Sequence, residues 1–314
     1  MQHSSTKLIL VLEAEESTDW DYLVDGVLTL RRDEVKGRRI RHIHLNKLRG
    51  VSIDRPVYLY TLKGGKFRYA PPFNSKLPFF EKSHEPIFDG EDTDHWNQRL
   101  FSTGTKALDE ILDGGYPHDS LVIMEFAPDV PLAGQMNLIG SVLENFLAQE
   151  RGVLFMPSSR DQNKFSRDGK IFGENTGNFF KIVDMGGVGT KDIKHALKET
   201  FKELKFNTNQ PILTVCDWVS LEHSVERPRS GEGDRAKVAK DILEIMRENS
   251  SLTIGMVGPG FSFIENARYI SDIYIKVFTL YNSLLMYGEK PNTEIYNITV
   301  REGKHPMVRY VKQV

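Results

Sequence analysis

Cysteine is almost absent from this chain of 314 residues, in which Cys216 is the only one. A single thiol excludes an internal disulfide and a cysteine-rich zinc site. No apolar run approaches the length of a transmembrane helix. The apolar run at residues 8–12 is short and is followed by Glu13, Glu15 and Glu16, which does not fit a secretory signal. We therefore expect a cytoplasmic protein without a membrane partner.

The chain also has little excess charge, because 41 Lys and Arg stand against 43 Asp and Glu, for a net charge of −2. This balance argues against a nucleic-acid binder that uses its whole surface, although local basic patches stay open. Hydrophobic residues make up 39% of the chain, which is typical of a globular protein rather than a disordered one. The length allows about two domains.

Two segments far apart in the sequence resemble each other. The apolar run at 8–12 and the segment 22–28 recur at 252–257 and 269–275, with offsets of 244 and 247 residues. A hairpin of alternating residues follows each copy. Repetition at such a distance indicates tandem copies of one domain. Because the second copy has about 150 residues in front of it, we interpret residues 1–75 as the C-terminal remnant of a first domain.

The rest of the chain alternates between strands and helices. Residues 76–99 are polar and rich in acidic residues, and we interpret them as a linker. Beyond them, short apolar runs predict strands at 121–124, 153–156, 212–216 and 252–257. Helical spacing predicts helices at 105–112, 137–149, 191–204 and 235–248. The pattern predicts an α/β fold with a mostly parallel sheet flanked by helices over residues 100–314.

Ligands of such sheets bind at the carboxyl ends of the strands, which directs attention to the turn after Met124. The residues leading to that turn are Ser102-Thr103-Gly104, Leu108 to Pro117 and Ser120 to Ile123. This leader resembles the opening of a KaiC-type domain of the RecA superfamily. The resemblance covers about 100–314 as a whole domain and about 7–60 as the tail of a preceding one. It implies a RecA-like P-loop NTPase fold, with a partial RecA-like tail and a β-hairpin in front.

In that family the turn has the form GxxxxGK[ST], whose backbone N–H groups, lysine and hydroxyl hold phosphates and magnesium. The matching positions here hold Phe126, Pro131, Leu132 and Ala133, so the glycines, the cation and the hydroxyl are all missing. Asp129 adds a negative charge, and two like charges about 4 Å apart repel by about 4 kcal/mol at an effective dielectric near 20. We expect a connecting turn, without bound nucleotide, at the following residues: Phe126, Pro128, Asp129, Pro131, Leu132 and Ala133.

Two further positions bear on catalysis in the family that the leader resembles. A pair of glutamates follows the next strand in KaiC-like ATPases, whereas Pro157-Ser158-Ser159-Arg160 stand here, and a serine cannot act as a carboxylate base. Asp217 follows the strand 212–216, in the place of the aspartate that helps to hold magnesium. An aspartate at a strand end is also common as a helix cap or loop residue, so both interpretations stay open. We expect no catalytic residue and no metal site.

Cations are concentrated in the predicted hairpin. Lys47-Leu48-Arg49-Gly50 resembles a family strand that reaches the nucleotide of a neighbouring subunit, and the alternation of 43, 45, 47 and 49 places both cations on one face. Lys47 and Arg49 could contact a phosphate in trans or could guard an edge strand. Between 31 and 49, eight Lys or Arg face two acids, and Arg38, Arg39 and Arg41 form a candidate basic patch. Stacking aromatics are not interleaved with them, so nucleic acid is not the favoured partner.

The sequence therefore favours a catalytically inactive RecA/KaiC-like protein, which is not an enzyme and has a regulatory or scaffolding role. The resemblance extends to inactivated archaeal RecA-like proteins assigned to signal transduction and, more loosely, to gas-vesicle regulators of the GvpD type. It implies a protein partner or self-association. Two alternatives stay open. One is an ATPase whose working P-loop lies in another domain, with ATP and Mg²⁺ as its cofactors. The other is a DNA-associated recombinase paralogue.

Overall fold

A computed structural model describes residues 7–13, 19–74, 90–91, 99–158, 178–185, 190–226, 232–301 and 307–313. The N-terminal part forms a four-stranded antiparallel sheet in the order β1-β2-β3-β4, preceded by one helical turn. Its elements are α1 (Trp20–Leu23), β1 (Gly26–Val35), β2 (Arg38–Leu48), β3 (Val57–Thr61) and β4 (Arg68–Tyr69), with a 3₁₀ turn at Lys63–Gly65. A second, small antiparallel sheet consists of β5 (Gly90–Glu91), β6 (Arg99–Phe101) and β7 (Tyr116–Pro117).

A nine-stranded sheet forms the body of the protein. Its strands are β8 (Ser120–Phe126), β9 (Gly152–Met156), β10 (Phe180–Ile182), β11 (Ile212–Asp217), β12 (Leu252–Val257), β13 (Ile273–Leu280), β14 (Ser283–Lys290), β15 (Tyr296–Arg301) and β16 (Met307–Lys312). They lie in the order β10-β9-β11-β12-β8-β13-β14-β15-β16. The six strands from β10 to β13 are parallel, and the last three are antiparallel. The predicted α/β fold with a mostly parallel sheet is confirmed.

Helices cover both faces of this sheet, and the side chains of β8 alternate between the two buried cores that result. Val122 and Met124 lie in one core with Val142 and Phe146 of the first long helix. Leu121 and Ile123 lie in the opposite core, together with Leu197, Phe201 and Ile242. The helices are α2 (Lys106–Ile111), α3 (Leu132–Ala148), α4 (Thr190–Asn207), α5 (Trp218–Glu226), α6 (Glu232–Asn249) and α7 (Ile264–Ile270).

The predicted elements differ from the structure in several places, and the short strands β5, β6, β7 and β10 were not predicted. Helix α3 begins at Leu132 rather than near 137, since Pro131 has a φ of −68° and can stand directly before a helix, where its missing N–H leaves no bond unmade. Helices α5 and α7 are short and were not predicted. Residues 8–12 are not a strand; they are exposed, and none of the described strands pairs with them. Most of the predicted linker 76–99 lies outside the described residues.

The N-terminal sheet packs on the antiparallel end of the main sheet. Ile40 and Leu59 lie in a buried cluster with Leu285, Tyr287 and Ile295. Arg38 completes the contact, since its guanidinium lies 4.1 Å from the centre of the Tyr287 ring. The same guanidinium donates hydrogen bonds to four oxygens: Lys36 O (2.9 Å), Gly288 O (2.9 Å), Thr293 O (2.5 Å) and Asn292 Oδ1 (2.5 Å). Arg38 therefore fastens the hairpin to the main sheet.

This contact gives a stability prediction. We expect Arg38→Ala to lower the free energy of unfolding by about 2 kcal/mol, because it removes a cation–π contact and leaves carbonyl groups at the contact unpaired. The neighbouring Arg39 is exposed, so Arg39→Ala is the matched control, with an expected change within about 0.5 kcal/mol. Urea denaturation followed by circular dichroism measures both. Equal losses in the two variants would contradict the role assigned to Arg38.

Candidate functional site

The turn between β8 and α3 occupies the phosphate-binding position of the fold, and its backbone is already engaged. The N–H of Ala127 donates to Val277 O (2.9 Å), and the N–H of Val130 donates to Ala127 O (3.0 Å). Pro128 and Pro131 have no N–H to offer. A phosphate cradle requires several free N–H groups that converge on one point. Four of the five turn positions from 127 to 131 cannot supply one.

The side chains of the turn are apolar where a nucleotide site is charged. Phe126 and Val130 are 4% and 6% exposed and belong to the buried core on the α3 side of the sheet. Leu132, at the lysine position, packs against the same core. Asp129 accepts a hydrogen bond from the hydroxyl of Thr279. These residues do not fit ATP with Mg²⁺, because the turn provides neither a cation nor a metal-binding hydroxyl.

Asp217 lies at the end of β11, where the family has its magnesium-binding aspartate. Its Oδ1 accepts a hydrogen bond from the N–H of Ser220 (2.6 Å) in the first turn of α5. This is the geometry of a helix N-cap. This hydrogen bond supports the helix-capping interpretation of Asp217. Burial raises the pKa of the neighbouring Cys216 thiol well above its usual value, and the charge of Asp217 adds to this shift.

The position of the catalytic base is described only in part. Pro157 and Ser158 follow β9, whereas Ser159 and Arg160 lie outside the described residues. Among the described residues, no group of three or more His, Cys, Asp or Glu is arranged to hold a metal ion. None of the helices in the described ranges is long and apolar enough to cross a bilayer.

Lys47 and Arg49 both contact the segment between α1 and β1. The Lys47 ammonium donates to the carbonyl oxygens of Asp21 (2.8 Å) and Tyr22 (3.3 Å), at the C-terminal end of α1. Arg49 pairs with Asp25, with 2.7 Å between Nη1 and Oδ1. The predicted face shared with 43 and 45 is wrong, because a bulge pairs Leu45 with Leu28 and Lys47 with Val27, on opposite faces of β1. Both cations have partners within the chain.

The candidate basic patch is divided by the fold. Arg38 is held in the contact with the main sheet, whereas Arg39 stays exposed opposite Glu34 on β1. Arg41 lies opposite Arg32 and is half-buried, and its Nη1 is buried without a hydrogen-bond partner. An open three-arginine surface is therefore not formed.

The structure adds a charged cluster that the sequence did not indicate. Glu125 stands next to the turn, accepts a hydrogen bond from the Tyr274 hydroxyl (2.6 Å) and pairs with Lys276 (3.3 Å). Lys276 also pairs with Glu289 (3.0 Å), which in turn contacts Arg268 of α7 (3.0 Å). Burial, followed by the bond to Glu125, raises the pKa of the Tyr274 phenol above its usual value. The pairing of β8 with β13 places Lys276 opposite Glu125, and the sequence alone does not show this register.

These charged residues join four elements at the carboxyl end of β8. Two cations lie among carboxylates that already neutralise them, so the cluster leaves no uncompensated positive charge for a phosphate. The arrangement can hold β8, β13, β14 and α7 together, which is a structural function rather than a catalytic one.

No protein-family model matches the chain. The KaiC-like protein PH0186 from the archaeon Pyrococcus horikoshii OT3 superposes with a TM-score of 0.51, covering 68% of this chain and 99% of that one at 15% identity. Two proteins of Halobacterium salinarum are related in sequence. GvpD2 is 24% identical over 99% of this chain, and GvpD1 is 33% identical over 50% of it.

The chain is similar in sequence to GvpD2 and GvpD1, and its fold resembles that of a KaiC-like protein. The matches span 66% of GvpD2 and 28% of GvpD1, which is less than two thirds of either relative. The KaiC-like resemblance predicted from the leader residues is confirmed. The chain shares the sheet of this fold, while its turn after β8 lacks the glycines, lysine and hydroxyl of a GxxxxGK[ST] loop.

Proposed function

We propose that this chain is a catalytically inactive RecA/KaiC-like protein with a regulatory or scaffolding role in signal transduction. The observation that carries the proposal is the turn between β8 and α3. Four of its five positions from 127 to 131 have a bonded N–H or none, its lysine position is Leu132, and its hydroxyl position is Ala133. Sequence similarity to GvpD2 and structural similarity to a KaiC-like protein support the part of this proposal that places the chain in a RecA-like regulatory family.

Energetics favour an empty turn. The phosphates of a nucleoside triphosphate placed there would lie near the Asp129 carboxylate. Two like charges about 4 Å apart repel by about 4 kcal/mol at an effective dielectric near 20. That repulsion corresponds to roughly a thousandfold loss of affinity, before the missing cation and hydroxyl are counted. Asp217 supports the same proposal, since its carboxylate caps α5.

A protein that keeps this fold but lacks the residues for binding and hydrolysing ATP acts through the surfaces that it offers to partners. We infer a protein partner or self-association as the route of regulation, and the cytoplasmic location expected from the sequence stays a prediction. Nucleic acid is less favoured, because Arg38 is taken up by the contact with Tyr287 and Thr293.

Calorimetric titration with Mg-ATP and Mg-ADP up to millimolar concentration tests the proposal. We expect no saturable heat, whereas a KaiC-like ATPase in the same buffer serves as the positive control. Saturable binding at micromolar concentration would contradict the account of the turn. In that case the double variant Lys47→Met, Arg49→Met decides whether the trans contact of the alternative holds the nucleotide, because it would then abolish the heat.

A further inference from the structure

The N-terminal elements repeat a part of the main domain. Helix α1 and the hairpin β1–β2 have the same order as α7 and the hairpin β13–β14, and β1 begins 247 residues before β13. Both hairpins turn through two residues with positive φ, which are Lys36 and Gly37 in the first and Tyr281 and Asn282 in the second. Such two-residue turns fit the right-handed twist of a hairpin.

Two finer details recur at matching positions. Each hairpin has one register shift, between Val27 and Leu28 in β1 and between Tyr274 and Ile275 in β13, again 247 residues apart. Lys47 stands opposite Val27, as Lys290 stands opposite Tyr274. The two lysines also make the same kind of hydrogen bond. Lys47 binds carbonyl oxygens at the C-terminal end of α1, and Lys290 binds the carbonyls of Tyr269 and Ser271 at the end of α7 (3.1 and 3.0 Å).

The surroundings of the two copies differ. Strand β13 has β8 on one side and β14 on the other, whereas β1 is an edge strand among the strands that the structure describes. Asp272, just before β13, accepts a hydrogen bond from the N–H of Leu121 in β8 (2.8 Å). Its counterpart Asp25 accepts a hydrogen bond from Arg49 instead, and within the described residues its side chain is 83% exposed.

Apolar side chains show the same contrast. Ile275 and Val277 of β13 are each 1% exposed and lie in the core that contains α3, whereas their counterparts Leu28 and Leu30 are 56% and 60% exposed. The segment 8–12 matches β12, which is buried between β11 and β8, yet Ile9 and Val11 are 86% and 87% exposed. An edge strand with an exposed apolar face is a template for another strand.

We propose that residues 8–12, the free edge of β1 and the Leu28–Leu30 face form a docking site for the βα core of a second RecA-like domain. A strand equivalent to β8 would lie parallel to β1 and offer an N–H to Asp25. The helix after it would cover Leu28 and Leu30, as α3 covers Ile275 and Val277. This inference is independent of whether the chain binds nucleotide. About a third of GvpD2 lies beyond the match, which is room for a core of this kind.

A second copy of this chain fits the site less well. In each copy, β8 is already paired with β12 on one side and β13 on the other, so it has no free edge to offer. Pairing of β1 with β1 across a two-fold axis would be antiparallel, whereas the repeat requires a parallel strand, as between β13 and β8.

The test uses the full chain with an additional core. Residues 99–251, which hold the main-domain elements in front of β12, are placed directly before residue 8 and thereby take the position that the repeat assigns to them. Hydrogen exchange followed by mass spectrometry then compares the extended and the unextended chain. We expect exchange in segments 8–12 and 26–35 to slow at least tenfold in the extended chain. Leu28→Glu with Leu30→Glu should remove this protection, and Val51→Glu with Leu62→Glu, at exposed positions away from β1, should keep it.

Several results would overturn the proposal. Unchanged exchange in both segments of the extended chain would overturn it. Failure of the added core to fold would also overturn it, because β1 would then have paired with no added strand. A dimer of the unextended chain that is lost in Leu28→Glu, Leu30→Glu would assign the surface to a second copy. The unextended chain supplies a check without any fusion, since this double variant should leave its Tm within about 2 °C. A larger loss would mean that the chain itself already covers the face.

Discussion

Replacing Gly104 with alanine should cost more stability than any other single change considered for this chain. Gly104 has a φ of +81°, and a Cβ built on it would lie 2.0 Å from the carbonyl oxygen of Ser141 in α3. The segment with Gly104 and helix α3 cannot move apart easily, because the Ser141 hydroxyl donates a hydrogen bond to Thr103 O (3.0 Å). We expect Gly104→Ala to lower the free energy of unfolding by about 4 kcal/mol or more, a magnitude typical of overpacking combined with backbone strain.

Gly50 provides the matched control for this prediction. Its φ of +77° is nearly the same, but nothing lies within 4 Å of a Cβ built on it. Gly50→Ala should therefore cost only the backbone term, about 1 kcal/mol. Thermal unfolding compares the two variants, and each kcal/mol corresponds to roughly 2–4 °C in Tm for a domain of this size. Similar Tm values for the two variants would show that the close approach of Gly104 to α3 is unimportant.

The same region explains why the leader residues resemble a family even though the turn does not. The Asp109 carboxylate accepts hydrogen bonds from the Thr103 N–H (2.7 Å), the Thr103 hydroxyl (2.7 Å) and the Ser102 hydroxyl (2.6 Å). These bonds fix the Ser-Thr-Gly segment against α2, while Gly104 allows it to approach α3 closely. The motif is thus a packing device of the fold, and it serves that purpose with or without a nucleotide.

Sequence patterns predicted those elements whose burial is continuous. β8, β9, β11 and β12 are apolar runs buried on both faces, and such runs are visible without any tertiary information. The long-range repeat was visible for a similar reason, since its order and spacing are properties of the chain. Strand 8–12 was predicted by the same criterion and is wrong, because a strand also requires a neighbour.

Side-chain direction was beyond what alternation can predict. Alternation placed Lys47 on the face of Leu45, but the bulge leaves Asn46 without an opposite residue and reverses the order beyond it. The charged cluster was hidden for a different reason. Glu125 and the residues 268–289 are about 150 positions apart, and only the pairing of β8 with β13 brings them together.

Removing Lys276, one of the two cations that contact both Glu125 and Glu289, is the second large effect we expect. Lys276 lies between Glu125 (3.3 Å) and Glu289 (3.0 Å), and the three side chains are only 21–29% exposed. Lys276→Met would remove the nearer of the two cations that Glu125 shares with Glu289 and would leave Arg268, 4.0 Å from Glu125 and 3.0 Å from Glu289, as their remaining common partner. We expect a loss of about 2–3 kcal/mol at low salt, somewhat below the cost of breaking a fully buried pair, because solvent reaches part of each group. Urea denaturation at two salt concentrations measures the loss.

Two companion variants separate the charge effect from a loss of packing. Lys240→Met removes one of the exposed i,i+4 pairs, with Glu244, so it should change stability by no more than about 0.5 kcal/mol. The double variant Lys276→Met, Glu125→Met removes a charge of each sign, and it should recover at least half of the loss because the remaining Glu289 still faces Arg268. A double variant as unstable as the sum of both single variants would mean that the two residues act independently. The cluster would then be a set of separate surface pairs rather than a link between β8, β13, β14 and α7.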